Sequence, residues 1–222
     1  MFKIFYYLLI AFFLVSCESD SYDLVIQNGI IYDGSGSESE SADIGIIGNQ
    51  IVKVGEINSK NSLKIIDASG LVVSPGFIDT HAHLDPMSNF IKLSNGESHV
   101  RQGVTTSFGG PDGRGVPLKY GFKEFLDSIE KVGVGMNVGF LTGHNKIRRV
   151  VMNLENREPT EEELERMKNL ASKAMDEGAF GISTGLKYLP GNFSKVDEVI
   201  EISKEISKKG GVYTSHLRDE GL

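Results

Sequence analysis

The sequence predicts an α/β protein, in which a small β-module over residues 23–75 precedes a parallel sheet over residues 76–222. The first of these segments consists of short β-runs separated by Gly, Asn and Ser, and no helix-period stretch interrupts them. Beyond Pro75, apolar runs typical of buried strands alternate with amphipathic segments of helical period. A hydrophobic fraction of 40% and a charged fraction of 24% are those of a folded domain.

Residues 1–16 are predicted to be a signal peptide rather than part of the fold. Lys3 precedes an unbroken apolar run to Val15, which is shorter than the ~20 residues that a membrane-spanning helix needs. The sequence Leu-Val-Ser-Cys at 14–17 resembles the lipobox of bacterial lipoproteins, which implies cleavage before Cys17 and lipidation of its thiol. We therefore expect residues 17–22 to tether the chain to a membrane of the bacterial cell envelope, on its periplasmic or extracellular side.

The β-module is predicted to be antiparallel, with two tight turns. Asn28-Gly29 and Gly48-Asn49 are dipeptides that favour two-residue hairpins. The strands are expected at 23–26, 30–32, 44–47, 51–54, 63–66 and 71–73.

The α/β part contains five predicted strands and three clear helices. The strands are expected at 77–79, 104–108, 136–141, 179–183 and 212–215, and the helices at about 122–130, 160–178 and 194–208. Thr160 and Glu163 have the spacing of a capping box, which marks the start of the second helix. Such alternation gives a parallel sheet, either open and doubly wound or closed into a barrel.

Charge and glycine patterns disfavour nucleic acid and nucleotide ligands. The net charge of −7 is opposite in sign to that of a phosphate-binding surface. The first helix lacks the G-x-G-x-x-G of a dinucleotide site, and the glycine-rich segment 109–113 lacks the Gly-Lys-Ser/Thr of a P-loop.

Four of the five histidines follow predicted strands, where parallel α/β folds assemble their functional sites: His81, His83, His144 and His216. The side chains of His81 and His83 point to the same side of an extended chain, because they are two residues apart. Imidazole nitrogen binds Zn, Fe, Ni or Cu. The pair therefore predicts a metal site, although an H-x-H pair also occurs without any metal.

Several longer motifs carry a resemblance to a known family. The segment 75–83, Pro-Gly-Phe-Ile-Asp-Thr-His-Ala-His, resembles the metal-binding signature of the amidohydrolase superfamily. The segments 181–190 and 210–221 resemble more narrowly the N-acyl-D-amino-acid deacylases (D-aminoacylases), as does Gly-His-Asn-Lys-Ile-Arg at 143–148. The resemblance extends from Asp23 to Leu222.

The resemblance implies a TIM-like (β/α)8 barrel with one or two zinc ions, flanked by a small β-sandwich to which residues 23–75 correspond. His81, His83 and His216 match metal ligands of the family. Zinc in such a site polarises the acyl carbonyl and lowers the pKa of a bound water to about 7. The implied reaction is hydrolysis of an N-acyl-D-amino acid to a carboxylate and a D-amino acid.

Three further residues are candidates for the site. Asp112 stands where D-aminoacylases place a cysteine ligand, and a carboxylate can also bind or bridge zinc. The alternative is that Asp112 only shapes a Pro-Asp-Gly turn. Tyr188 and His144 are candidate substrate contacts, and the alternative for each is a packing role.

Two other functions remain open at this stage. The cyclic-amide branch of the superfamily, which includes dihydroorotases and hydantoinases, uses a lysine on the fourth strand. Here that strand has none, and Lys187 lies just beyond it.

The second alternative function is that of an inactive, lipid-anchored binding protein. Residues 76–222 supply about five of the eight strands of a fold that takes about 250 residues. The family's remaining histidine and acid–base aspartate are expected beyond Leu222, so we expect this chain to be an inactive N-terminal part of a larger enzyme.

Overall fold

The computed structural model describes residues 21–84, 95–116 and 121–221. It divides into two compact units between Pro75 and Gly76. Among the described residues, no helix has the length and apolar character needed to cross a membrane. The predicted signal peptide and Cys17 lie outside the described residues.

The first unit is a mixed five-stranded sheet. Its strands are β1 (Leu24–Ile31), β2 (Glu40–Ile47), β3 (Gln50–Gly55), β4 (Ile65–Asp67) and β5 (Val72–Val73). The order is β3-β2-β1-β4, with β5 also paired to β1; β2 is antiparallel to both neighbours, whereas β4 and β5 run parallel to β1. The module is therefore not purely antiparallel. Tyr22, assigned from the sequence to the tether, is buried with Val25 and Ile57 in the core of this unit.

The hairpin predicted at Asn28-Gly29 is wrong. Strand β1 continues through both residues, and its register with β2 shifts there. Asn28 adopts a positive φ of 61°, and its backbone N–H donates to Asp43 Oδ1 over 2.9 Å. A β-bulge needs the same left-handed conformation as a hairpin turn, so Asn-Gly alone does not separate the two. The hairpin at Gly48-Asn49 is confirmed, between β2 and β3.

The second unit has five parallel strands that curl into a half-barrel, as the predicted fold class requires. The strands are β6 (Phe77–Asp79), β7 (Val104–Gly109), β8 (Asn137–Gly143), β9 (Gly181–Gly185) and β10 (Val212–His216), in the order β10-β9-β8-β7-β6. The α-helices are α1 (Glu97–Val100), α2 (Phe122–Val132), α3 (His144–Met152), α4 (Glu161–Asp176) and α5 (Val196–Ser207).

The helices bury apolar faces against the sheet of their own unit. The capping box that begins α4 is confirmed: Thr160 Oγ1 accepts from the Glu163 N–H over 3.2 Å, and the Glu163 carboxylate accepts from the Thr160 N–H over 2.9 Å. Met167 of α4 packs with Ile182 of β9 and Ile202 of α5 in one core cluster. Helix α3 was not predicted. It follows β8 without an intervening turn, so no turn residue marks its start.

Candidate metal centre

The H-x-H segment extends the edge of the half-barrel beyond the end of β6. The His81 N–H donates to Asp79 Oδ1 over 3.0 Å, and the Ala82 N–H donates to the Phe108 carbonyl over 3.0 Å. The second bond holds the segment beside β7, to which Phe108 belongs. The two imidazoles lie with their ring centroids 5.6 Å apart, and both remain about half exposed.

Asp112 is presented by the loop that follows β7. Ser183, fully buried on β9, holds this loop from both sides: its hydroxyl donates to the Gly110 carbonyl over 2.6 Å and accepts from the Gly113 N–H over 3.0 Å. Asp112 itself has a positive φ of 57°. At Gly113 a Cβ atom would lie 2.1 Å from Asn145 Oδ1, so only glycine allows this close packing.

Asp112 and the three predicted histidine ligands converge. Asp112 Oδ1 lies 3.6 Å from His81 Nε2 and 3.6 Å from His216 Nδ1, and Oδ2 lies 3.1 Å from His83 Nε2. Around a tetrahedral zinc with bonds of about 2.1 Å, ligand atoms are separated by about 3.4 Å. His81, His83 and Asp112 each offer one ligand atom within 4.8 Å of the others. His81, His83 and Asp112 thus have the spacing of a zinc site, and His216 lies against the same carboxylate.

The hydrogen bonding of Asp112 also fits a cation. Its side chain is only 7% exposed, and Oδ1 is buried with no hydrogen-bond donor among the described residues. A buried carboxylate oxygen without a donor is costly unless a cation neutralises it. Nitrogen and carboxylate oxygen form a donor set that zinc accepts. The residues present therefore fit the metal, and the two oxygens of Asp112 allow it to bind one ion or to bridge two.

The two candidate substrate contacts differ in position. The Tyr188 ring lies 4.7 Å from the His216 ring, centroid to centroid, and its side chain is partly exposed beside the cluster. His144 is fully buried, with Nε2 2.8 Å from Glu198 Oε1. A buried ring already bonded to a carboxylate has no surface to offer a substrate. The structure therefore favours the packing role for His144.

Two buried polar groups behind the site were not singled out from the sequence. Asn145 donates from Nδ2 to the carbonyls of Gly185 and Tyr188, over 2.9 and 3.2 Å, and accepts from the Gly185 N–H over 3.1 Å. Ser183 holds the Asp112 loop as described above. Both lie in segments that resemble the deacylase family, but nothing in the sequence separates them from the other residues of those segments. Their roles depend on contacts across 40 to 73 positions of the chain.

A buried ionic triad connects α3 to α5. Glu198 bonds to His144 through one carboxylate oxygen and to Arg148 through the other, and all three side chains are buried. Arg148 also donates to the Arg157 carbonyl over 2.6 Å. Burial raises the pKa of the Glu198 carboxyl, but the hydrogen bonds and positive charges of His144 and Arg148 outweigh it, so the pKa lies below its ordinary value.

A sequence profile described as "Amidohydrolase family" matches residues 64–201, which include the H-x-H segment and the Asp112 loop. The chain belongs to the amidohydrolase family. Its curated relatives include the D-aminoacylase of Alcaligenes xylosoxydans xylosoxydans, 34% identical, with 92% of this chain and 46% of the relative covered. The N-acyl-D-glutamate deacylase of the same organism is 31% identical, covering 90% and 44%. This amidohydrolase chain spans about half the length of the curated relatives it matches.

Solved structures match 90% of this amidohydrolase chain, a share similar to that matched by the curated relatives. A crystal structure of D-aminoacylase has a TM-score of 0.82 at 32% identity, with 90% of this chain and 46% of that chain covered. The N-acyl-D-glutamate deacylase of Bordetella bronchiseptica, in complex with zinc and a phosphonate inhibitor, has a TM-score of 0.84 at 29% identity, covering 90% and 46%. An allantoinase of Enterococcus faecalis is a more distant relative, 27% identical over 212 residues.

Proposed function

We propose that this amidohydrolase hydrolyses the amide C–N bond of N-acyl-D-amino acids, yielding a carboxylate and a D-amino acid. The observation that carries the proposal is the convergence of Asp112 with His81, His83 and His216 at ligand-to-ligand spacing. These groups lie at the carboxyl ends of parallel strands, where barrel enzymes place their active sites. The similarity to D-aminoacylase and to two N-acyl-D-amino-acid deacylases supports the substrate class.

The chain's own residues would hold one or two zinc ions and leave one side open to substrate. Zinc, when bound, supplies Lewis-acid polarisation of the acyl carbonyl and lowers the pKa of a water nucleophile to about 7. Asp112 and His216 form the buried side of the cluster, whereas His81 and His83 face solvent. Tyr188 lies beside His216, where it would limit the space for the acyl or amino acid side chain.

A cyclic-amide hydrolase is the alternative within the family. Strand β9, Gly-Ile-Ser-Thr-Gly, has no lysine that could serve as the bridging ligand of that branch. Lys187 lies in the turn after β9. Allantoinase matches this chain at lower identity than the deacylases do. These observations favour the deacylase reaction.

An activity assay separates the two reactions. We would load the full-length protein with zinc and measure amine release from N-acetyl-D-leucine and N-acetyl-L-leucine, and ring opening of a hydantoin and of dihydroorotate. We expect amine release from the D-enantiomer, abolished by a chelator and restored by zinc. Ring opening without amine release would contradict the proposal.

We further propose that Cys17 carries a lipid anchor that holds the protein in the bacterial cell envelope. The proposal depends on the lipobox-like sequence at 14–17, and the acidic, serine-containing residues that follow are typical of a linker. Metabolic labelling with an alkyne fatty acid and fractionation of membranes would test it. Cys17→Ser should lose the label and leave the membrane fraction, whereas Ser21→Ala should keep both. A labelled Cys17→Ser variant would contradict the assignment.

A further inference from the structure

A cleft of about 350 Å³ opens beside the candidate metal centre. Asp112 and Tyr188 are among its lining residues, and Arg114, Lys146 and Arg149 contribute three basic side chains. Its volume lies in the range of small-molecule binding sites. Asp112 also belongs to the metal cluster, so the cleft and the candidate metal centre adjoin at this residue.

The charge of the cleft is opposite to that of the whole chain. The chain carries 30 acidic and 23 Lys and Arg residues, yet the described residues that line the cleft include three basic side chains and one acid, Asp112. Asp112 is the residue that a metal cation would neutralise. The cleft therefore has a local positive potential on an acidic protein, and such a potential attracts an anionic ligand.

Helix α3 places two of the basic residues on one face. Lys146 and Arg149 are three positions apart, which makes them neighbours on the helix surface. The Lys146 ammonium donates to the Gly115 carbonyl over 3.5 Å, in the loop that carries Asp112. The Arg149 guanidinium lies 3.4 Å from the Leu189 carbonyl, next to Tyr188. Each basic residue is thus tied to one of the two loops that carry the site.

We propose that Lys146 and Arg149 bind the carboxylate of the substrate, with Arg114 adding to the positive potential. This inference rests on the proposed function. In an N-acyl amino acid only the amide nitrogen and Cα separate the scissile acyl carbon from the carboxylate. An acyl group held at Asp112 therefore brings its carboxylate to the entrance of this cleft. Guanidinium and ammonium groups form strong, charge-assisted hydrogen bonds with carboxylate.

The test compares ligands that differ only in this charge. N-methanesulfonyl-D-leucine has no scissile amide, so its binding to the zinc-loaded full-length protein can be measured by titration calorimetry beside that of its neutral carboxamide. Lys146→Met and Arg149→Met should each weaken binding of the acid about 10-fold and leave binding of the carboxamide unchanged. Arg166→Met is the matched control, because Arg166 is exposed on α4 and does not line the cleft. It should change neither affinity.

A kinetic measurement complements the titration. For N-acetyl-D-leucine, the two cleft variants should raise KM about 10-fold with kcat nearly unchanged, since the lost contact is present in ground and transition states alike. The inference is overturned if wild type binds acid and carboxamide equally, or if the cleft variants keep the wild-type preference. If no N-acyl-D-amino acid is hydrolysed but the acid still binds through Lys146 and Arg149, the proposed reaction fails and the anion site stands.

Discussion

Asp112 combines a strained backbone conformation with a carboxylate oxygen that accepts no hydrogen bond from the described residues. Its left-handed φ is uncommon for any residue other than glycine, although Asp and Asn tolerate it better than most, and its Oδ1 is buried without a donor among the described residues. Both features cost free energy, and a bound cation would compensate for the second. Asp112→Asn keeps the size and the tolerance of positive φ while removing the charge.

We expect Asp112→Asn to weaken zinc binding at least about 10-fold, because the amide offers a weaker, neutral ligand at the centre of the cluster. Competition against a chromophoric chelator measures the affinity. Asp127→Asn, in an exposed ion pair of α2, is the control and should retain wild-type affinity. An Asp112→Asn protein with unchanged affinity would show that the histidines bind zinc without this carboxylate.

Ser183 acts through the loop that it holds. Removing its hydroxyl breaks the bond to the Gly110 carbonyl and leaves the Gly113 N–H without its acceptor. We expect Ser183→Ala to lower zinc affinity about 10-fold, as the loss of other groups that orient metal ligands does. Ser207→Ala, at the exposed end of α5, should have no effect in the same chelator competition. If the two variants bind zinc with equal affinity, Ser183 does not position the Asp112 loop for metal binding.

Among the elements, α3 connects the site to the buried triad. Its first residues, His144 to Lys146, border the Asp112 and Tyr188 loops, and His144 and Arg148 bind Glu198 of α5. The motif at 143–148 was recognised from the sequence, but the helix itself was not. The partner, Glu198, lies 50 positions further along the chain than Arg148, too far for any local pattern to pair them.

Glu198→Gln should destabilise the protein by about 3 kcal/mol at pH 7, since it leaves the buried Arg148 without its counter-charge. The pKa of Glu198 is lowered by folding, so its stabilising contribution is present above the ordinary value of 4.5 and is lost as the pH falls through the lower folded value. The free energies of unfolding of wild type and variant should therefore converge below pH 4.5. Urea titrations across pH 3 to 7 measure this, with Glu201→Gln on the same helix as control. A difference in the free energy of unfolding between wild type and Glu198→Gln that does not depend on pH would contradict the stabilising role of the triad.

At the scale of the whole molecule, the candidate ligands come from segments that are far apart in sequence. His81 and His83 follow β6, Asp112 follows β7, and His216 ends β10. One or two metal ions held by these residues would connect both edges of the sheet in the second unit. Ligand binding to the native state stabilises it according to the ratio of free ligand to Kd.

We expect zinc at about 100 times its Kd to stabilise the folded protein by about 2.7 kcal/mol, and a chelator to reverse the effect. Differential scanning calorimetry of the full chain, with and without zinc, measures the shift in Tm. Asp112→Asn should show a smaller shift at the same zinc concentration. An identical Tm in zinc and in chelator would argue against a metal site.

The sequence alone determined most of the alternation of strands and helices in the second unit, α3 excepted, because apolar periodicity and capping residues act over a few neighbours. The capping box at Thr160 and the five strands are examples. It also predicted that His81 and His83 lie together, because residues two positions apart in an extended segment point to the same side. It could not separate a bulge from a hairpin at Asn28, which depends on the partner strand.

Only the tertiary structure decided where the side chains of Asp112 and His144 lie. One sequence pattern allowed Asp112 to be a turn residue or a ligand, and the structure shows both properties at once: a left-handed turn conformation and a carboxylate facing three histidines. His144 stands at the end of a strand, as His216 does, yet it turns inward to Glu198. Position at a strand end is a local property, whereas the group that a side chain meets is set by long-range packing.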